Sequence, residues 1–144
     1  MSDQNKAVVR RIIEDYWNKK NPALAVELFA ADCSWHIPGG ELPRGVQGAA
    51  QLYGPYATAF PDFRLTIEDI VVEGDQVAVS YTFTGTNKGQ LGAVPASGKR
   101  VTVPGIAIFR LAGGKVTEAR LVWDTLSLQQ QIGALPMASG KGAS

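Results

Sequence analysis

The chain has 144 residues, of which 45% are hydrophobic, with 14 basic and 13 acidic side chains and one histidine. A chain of this length buries about two-thirds of its unfolded surface, which suffices for one domain with a single core. The net charge of +1 and the scattered basic residues make nucleic acid an unexpected partner. No stretch approaches the ~20 apolar residues of a membrane span, so no membrane partner is expected. Because Cys33 is the only cysteine, an internal disulfide is excluded, and a cytoplasmic location is expected.

Three amphipathic helices are predicted in the first 60 residues. A helix over about residues 4–19 is indicated by apolar residues at three- and four-residue steps: Val8, Val9, Ile12, Ile13, Tyr16 and Trp17. Asn21 as N-cap and Pro22 at the first helical position predict a second helix, whose buried face is Leu24, Ala25, Leu28 and Phe29. A short strand over 33–37 follows and ends at Pro38. Helical spacing returns from Val46 to Phe60.

After Pro61 the apolar period changes to two, which predicts a sheet. A strand around 63–67 precedes a turn at Gly74 and a second strand with an apolar face at Val77, Val79, Tyr81 and Phe83. The third strand, over about 100–111, contains Pro104-Gly105, which predicts a bulge or bend. A glycine pair at 113–114 turns the chain into a strand over 115–123, and a brief helix near 126–131 ends at Gly133.

These elements predict an α+β fold in which three N-terminal helices cover one face of a curved antiparallel sheet. A bent sheet closed by helices is a cone, and its mouth can admit a small apolar ligand. A single domain is expected over residues 1–137, with a flexible C-terminal tail over 138–144.

Short motifs follow one another along roughly residues 5–135. They are Trp35-His36, Arg44-Gly45, Ala59-Phe60-Pro61-Asp62, Gly74-Asp75, Gly85-Thr86 with Gly89, Pro95 with Ser97-Gly98, Gly105-Ile106 with Phe109-Arg110, Gly114-Lys115 with Glu118, and Trp123-Asp124 with Leu128 and Gln131 through Gly133. Their shared order and spacing resemble the SnoaL-like polyketide cyclase (ester cyclase) family of the nuclear-transport-factor-2-like superfamily.

The resemblance implies a cone-shaped barrel that closes rings by intramolecular aldol condensation without metal or organic cofactor. It also implies a homodimer or a higher homo-oligomer, and it places the acid/base aspartate at Asp124. The chain departs from the family pattern at Asn87, where Gly-Thr-His-x-Gly is common, near Ser80, where an arginine is common, and at Ala119-Arg120, where His-Trp is common. Imidazole and guanidinium groups that orient a substrate are therefore missing.

Asp124 is also a candidate from its own surroundings. It follows Leu121, Val122 and Trp123, and a carboxylate in partly apolar surroundings has a raised pKa suited to a general base. Such a base would remove an acidic C–H proton and return it to the new alkoxide, while Asn87, His36 or Arg110 steadies the developing charge. The alternative is that Asp124 only caps the last short helix through backbone N–H bonds.

His36 is the only imidazole in the chain. At a strand end it can reach the cavity as a donor or proton shuttle, or it can be a satisfied structural histidine. One histidine, one cysteine and no clustered carboxylates make a metal site unexpected. Ser34 lies about 7 Å away along the same strand face, too far for a nucleophile and base contact.

The predicted ligand is a hydrophobic, oxygenated small molecule. Trp35, Tyr53 and Trp123 are the aromatic candidates for its wall, although aromatic residues at such spacings are more often core. Arg44 and Arg110 are the candidates for holding a carboxylate or enolate, although an arginine is more often a solvated strand or loop residue. Arg110 alternates in phase with Ile106 and Ile108, which favours an inward position for Arg110 if those residues line the cone.

Three functions follow as hypotheses. The first is an acid/base cyclase, and the second is an epoxide hydrolase or isomerase of the same superfamily. The third is a non-catalytic module that binds a small ligand or dimerises. A cavity with an apolar lining, together with Asp124 turned outward to cap a helix, would favour the third.

Overall fold

The computed structural model describes residues 2–136, and the predicted tail over 138–144 lies outside them. The predicted first helix is present in two parts. Helix α1 spans Ser2–Arg11 and continues as a π-helix over Ile12–Asn18. The wider turn is visible in the Lys19 N–H, which donates to the Glu14 carbonyl five residues earlier at 3.2 Å.

The predicted second helix is shorter than its apolar pattern indicates. A 3₁₀ turn over Pro22–Leu24 leads into the single-turn helix α2, Ala25–Leu28, and the Asn21 side chain makes no capping bond. Phe29 has extended backbone and pairs with Val116 on the last strand of the sheet. The chain therefore enters the sheet at Phe29, and the helix ends at Leu28. The first strand therefore begins four residues before the predicted start at Cys33.

Helix α3 spans Val46–Ala59, as predicted within one residue. The six strands are β1 Phe29–Ile37, β2 Gly40–Leu42, β3 Arg64–Glu73, β4 Gln76–Thr86, β5 Arg100–Ala112 and β6 Lys115–Trp123. Their order in the sheet is β2-β1-β6-β5-β4-β3. The β1–β6 pair is parallel and the other pairs are antiparallel, so the expectation of a wholly antiparallel sheet is corrected at that one pair.

The bulge predicted at Pro104-Gly105 is absent from the β4–β5 pair. The register runs without a shift from Gln76 opposite Arg110 to Thr86 opposite Arg100. Gly105 instead makes room for Tyr81, since a Cβ at position 105 would lie 2.5 Å from the Tyr81 hydroxyl oxygen. Pairing of β5 with β6 begins at Gly105, so Pro104 lies just beyond the β6 pairing, where its missing N–H removes no ladder bond to β6.

Helix α4, Thr125–Gln131, follows β6 and packs on β5. The Gln131 side-chain amide pairs with both backbone polar groups of Thr102, accepting from its N–H at 2.8 Å and donating to its carbonyl at 2.9 Å. This pair holds the helix over the end of the sheet and places Leu128 in the interior. No helix in residues 2–136 is long and apolar enough to cross a membrane.

Candidate functional site

A partly enclosed apolar cavity lies between the helices and the inner face of the sheet. Its volume is about 60 Å³. The lining is Ile12, Ile13, Trp17, Leu52, Tyr56, Leu65, Tyr81, Phe83, Val103, Ala107, Phe109, Leu121, Trp123 and Leu128.

Strand alternation and the π-helix together bring these side chains to one place. Tyr81 and Phe83 belong to the inner face of β4, in the phase that the sequence predicts. The neighbouring strands β5 and β6 contribute inward residues at two-residue steps, among them Ala107 and Phe109. The π-helix presents Ile12, Ile13 and Trp17 from the opposite side, and the C-terminal helix adds Leu128.

The polar atoms of the lining belong to aromatic residues. Burial raises the pKa of Tyr81 to about 12, with a further contribution from nearby Tyr56. Burial also raises the pKa of Tyr56, and the Trp123 indole beside its hydroxyl lowers it by a smaller amount. Both phenols therefore stay protonated at neutral pH and can donate hydrogen bonds.

Trp123 contributes a buried donor to this wall. Its Nε1–H has no hydrogen-bond partner among the described residues. The Trp123 indole lies close enough to the Tyr56 hydroxyl to lower the pKa of that phenol, although the two groups form no hydrogen bond. The Tyr56 and Trp123 rings meet edge to face, with centroids 5.8 Å apart.

Asp124 does not lie in the cavity. It is exposed, and its Oδ1 accepts the Ser127 backbone N–H at 2.9 Å as the N-cap of α4. The expected apolar surroundings are wrong because β6 alternates: Leu121 and Trp123 point inward, whereas Val122 and Asp124 are exposed. The capping alternative is the one observed, and the catalytic role of Asp124 stays a prediction that this placement does not support.

His36 and Arg110 lie on the outer face of the sheet, away from the cavity. The buried Trp35 takes the inward position on β1, which turns His36 outward between Glu41 at 3.2 Å and Glu118 at 3.4 Å. Arg110 binds Asp75 at 3.0 Å and Glu118 at 3.5 Å. The inward phase expected for Arg110 is wrong, since Ile106 and Ile108 are exposed with it.

Asn87 is fully buried, but it organises a loop and does not face the cavity. Its Oδ1 accepts from the Ser97 N–H at 2.8 Å and from the Ser97 hydroxyl at 2.9 Å, and its Nδ2 donates to the Gly89 carbonyl at 2.8 Å. Because its side chain is held in this loop and is absent from the cavity lining, Asn87 is not placed to steady a developing charge there.

Two of the three predicted wall aromatics lie elsewhere. Trp35 is core, and its Nε1–H donates to the Gly45 carbonyl at 3.0 Å. Tyr53 packs against Trp17, with ring centroids 5.0 Å apart, and does not line the cavity. Arg44 is exposed and donates to the Asp32 carbonyl at 3.0 Å. Trp123 is the one that lines the cavity as predicted.

The cavity tyrosines Tyr56 and Tyr81 are absent from the predicted substrate-binding set. The alternation of β4 already puts Tyr81 on the apolar face, and Tyr56 follows Tyr53 by three residues on the same helix. No charged residue belongs to the lining, and the described residues 2–136 contain no group of three or more potential metal ligands.

The outer face of the sheet carries exposed apolar side chains. Ile106 and its cross-strand partner Val122 are 54% and 63% exposed, and Ile108 is exposed beside them. A second copy of the chain would cover this patch, so the homodimer stays a prediction for which the patch is one suitable surface.

The family model of the SnoaL-like polyketide cyclases matches residues 7–132. Among curated proteins, none matches the chain significantly.

Three solved structures share most of their length with this chain. A candidate SnoaL-like polyketide cyclase from Jannaschia sp. CCS1 is 28% identical with a TM-score of 0.85, and the match covers 94% of this chain and 95% of that one. The candidate hydroxylase AclR from Streptomyces galilaeus is 25% identical with a TM-score of 0.86, covering 96% and 86%. TsrD from Streptomyces laurentii is 30% identical with a TM-score of 0.77, covering 90% and 98%.

Proposed function

Because the chain belongs to the SnoaL-like polyketide cyclase family, we propose that it binds a small, hydrophobic, oxygen-bearing ring molecule in its apolar cavity. The observation that carries the proposal is the lining itself, which is apolar except for tyrosine and tryptophan tips and contains no charged residue. Cavities with this composition bind apolar molecules and use a few polar groups to orient them. The small volume of the cavity favours a ligand of one or two rings over a large multi-ring skeleton.

Filling the cavity is expected to weaken the binding of tetralin, a two-ring hydrocarbon. Ala107 is buried on β5 and lines the cavity, so Ala107→Leu adds three carbon atoms inside it. We expect the affinity for tetralin, measured by titration calorimetry, to fall at least about tenfold, since that is the loss caused by ~1.4 kcal/mol of displaced contact.

Ala112→Leu is the matched control, because Ala112 is exposed at the end of the same strand. It should leave tetralin binding unchanged. Failure of the unmodified protein to bind tetralin, or equal binding by both variants, would refute the cavity as the ligand site.

Acid/base cyclisation by Asp124 is the second candidate function. Two observations support it: the family match, and the position of Asp124 directly after Trp123, whose ring lines the cavity. In this mechanism Asp124 leaves the Ser127 N–H, turns toward the ligand, removes a C–H proton next to a carbonyl and returns it to the new alkoxide. An epoxide hydrolase has less support, because hydrolysis through a positioned water usually needs two carboxylates at the ligand, whereas the cyclase needs Asp124 alone, and no second carboxylate lies at the cavity.

Asp124→Asn and Asp124→Ala separate capping from base chemistry. Asparagine caps helices as well as aspartate does, so Asp124→Asn should keep the free energy of unfolding, whereas Asp124→Ala should lower it by about 1 kcal/mol. If Asp124 is the base, the protein accelerates deuterium uptake at the α-carbon of 2-tetralone in D₂O, and both variants lose that acceleration. Mass spectrometry measures the deuterium uptake. Equal uptake with the unmodified protein and with Asp124→Asn would exclude Asp124 as the base.

A further inference from the structure

The cavity contains two phenol groups that the predicted mechanism does not use. Tyr56 reaches the cavity from α3 and Tyr81 from β4, so the two rings approach the same space from opposite layers of the fold. Both side chains line the same cavity, and Tyr56 adds to the raised pKa of Tyr81. The third nearby phenol, Tyr16, is already engaged, since its hydroxyl donates to the Ala49 carbonyl at 3.5 Å.

The Trp123 indole limits what the Tyr56 hydroxyl can do. An indole N–H donates and never accepts, so a hydroxyl beside it must present its oxygen to the indole. The proton of that hydroxyl is then directed away from Trp123. Because the Trp123 N–H is fully buried and unpartnered among the described residues, a small rotation that completes its bond to Tyr56 removes the cost of an unpaired buried donor.

The Tyr81 hydroxyl is held by packing. It passes over Gly105, where a Cβ would lie 2.5 Å from both the hydroxyl oxygen and the adjoining ring carbon. The absence of a side chain at position 105 therefore leaves the space that the Tyr81 hydroxyl occupies.

We propose that the hydroxyls of Tyr56 and Tyr81 form a donor pair for a carbonyl oxygen on the ligand, and that Trp123 is the positioning residue that keeps Tyr56 donating. This inference rests on the proposed binding function and narrows its ligand to neutral ring ketones. A carboxylate is disfavoured, because no cation lines the cavity to offset its loss of hydration. A hydrocarbon of the same shape binds without using the pair.

The test compares 2-tetralone with tetralin, which differ by one carbonyl group. The unmodified protein should bind 2-tetralone about fivefold more tightly than it binds tetralin, which is the gain expected from a net hydrogen bond. Tyr81→Phe and Tyr56→Phe should each reduce the 2-tetralone to tetralin affinity ratio several-fold, while tetralin binding persists. Tyr53→Phe is the matched control, since Tyr53 lies outside the lining, and it should keep the ratio.

The positioning role of Trp123 needs a readout that simple loss of packing would not change. Trp123→Phe should lower the affinity ratio in the unmodified background and have no further effect on it in the Tyr56→Phe background. The infrared carbonyl stretch of bound 2-tetralone should shift to lower frequency in the unmodified protein and move back in each single variant.

The outcomes distinguish a failure of the proposed binding function from a failure of the donor pair. If the protein binds neither compound, the proposed binding function fails and this inference fails with it. If it binds both with equal affinity, or if the carbonyl stretch is unshifted, the binding function stands and the donor pair is refuted. An undiminished effect of Trp123→Phe in the Tyr56→Phe background would refute the positioning role alone.

Discussion

Replacement of Asn87 by alanine is expected to lower the free energy of unfolding by about 3 kcal/mol, because a truncated buried amide leaves its former partners unsatisfied. The amide connects Gly89 with Ser97 across the loop that follows β4, and the side chain is wholly buried. Its backbone adds to the same network, since the Asn87 N–H donates to Lys99 at 2.8 Å and its carbonyl accepts from Gly98 at 2.8 Å. Chemical denaturation monitored by circular dichroism measures the loss.

Gln90→Ala is the matched control for this prediction. The Gln90 side-chain amide also donates to a carbonyl two residues later, that of Gly92 at 2.8 Å, but this bond is exposed to water. Its loss should change the free energy of unfolding by less than about 0.5 kcal/mol. An equally small effect at Asn87 would show that water replaces the amide there, and the loop-organising role would be withdrawn.

The helices and strands were predictable where one face of an element is apolar and the other polar. The alternation from Val77 to Phe83 sets the inner face of β4, and the spacing from Val46 to Phe60 sets α3 within a residue of its end. The predicted ends of elements were wrong where a neighbouring strand, and not the local sequence, determines the end. Phe29 continues the helical spacing of Leu24 and Leu28, yet it joins β1 because Val116 on β6, 87 positions along the chain, lies beside it.

The phase of β5 was not predictable, because both faces of this strand carry apolar residues. Ile106 and Ile108 resemble a core face as strongly as Val103 and Ala107 do, and only the covering helices decide between the two sets. If the isoleucines lined the interior, Arg110 would point inward with them. In the structure the isoleucines are exposed, and Arg110 pairs with Asp75 on the outer face.

The prediction of the site depended on the same alternation of inward and outward residues along a strand. Apolar neighbours in sequence do not bury a residue at the end of a strand, since each neighbour points to the opposite side. Asp124 takes the outward position after the inward Trp123 and then caps α4. The residue beside it, and not Asp124, brings a polar atom to the cavity wall, and the other side-chain polar atoms of the lining belong to Trp17, Tyr56 and Tyr81.

Replacement of Gly48 by alanine is expected to destabilise the protein by about 2 kcal/mol, although alanine is the better helix former, because overfilling a packed site costs more than helix propensity returns. Gly48 is buried in α3, and a Cβ there would run into the Pro43 carbonyl and the Trp35 indole. Moving Trp35 also strains its hydrogen bond to the Gly45 carbonyl, so the damage reaches the start of the helix.

Ala50→Gly provides the comparison, since Ala50 is exposed on the same helix. Removing its Cβ should cost about 1 kcal/mol through backbone entropy alone. Both substitutions then destabilise the helix although one adds a Cβ and the other removes it, a pattern that propensity alone cannot produce. Stabilisation by Gly48→Ala in thermal unfolding would mean that α3 can move away from Trp35, and the close packing between this helix and β1 would have to be abandoned as the reason for the glycine.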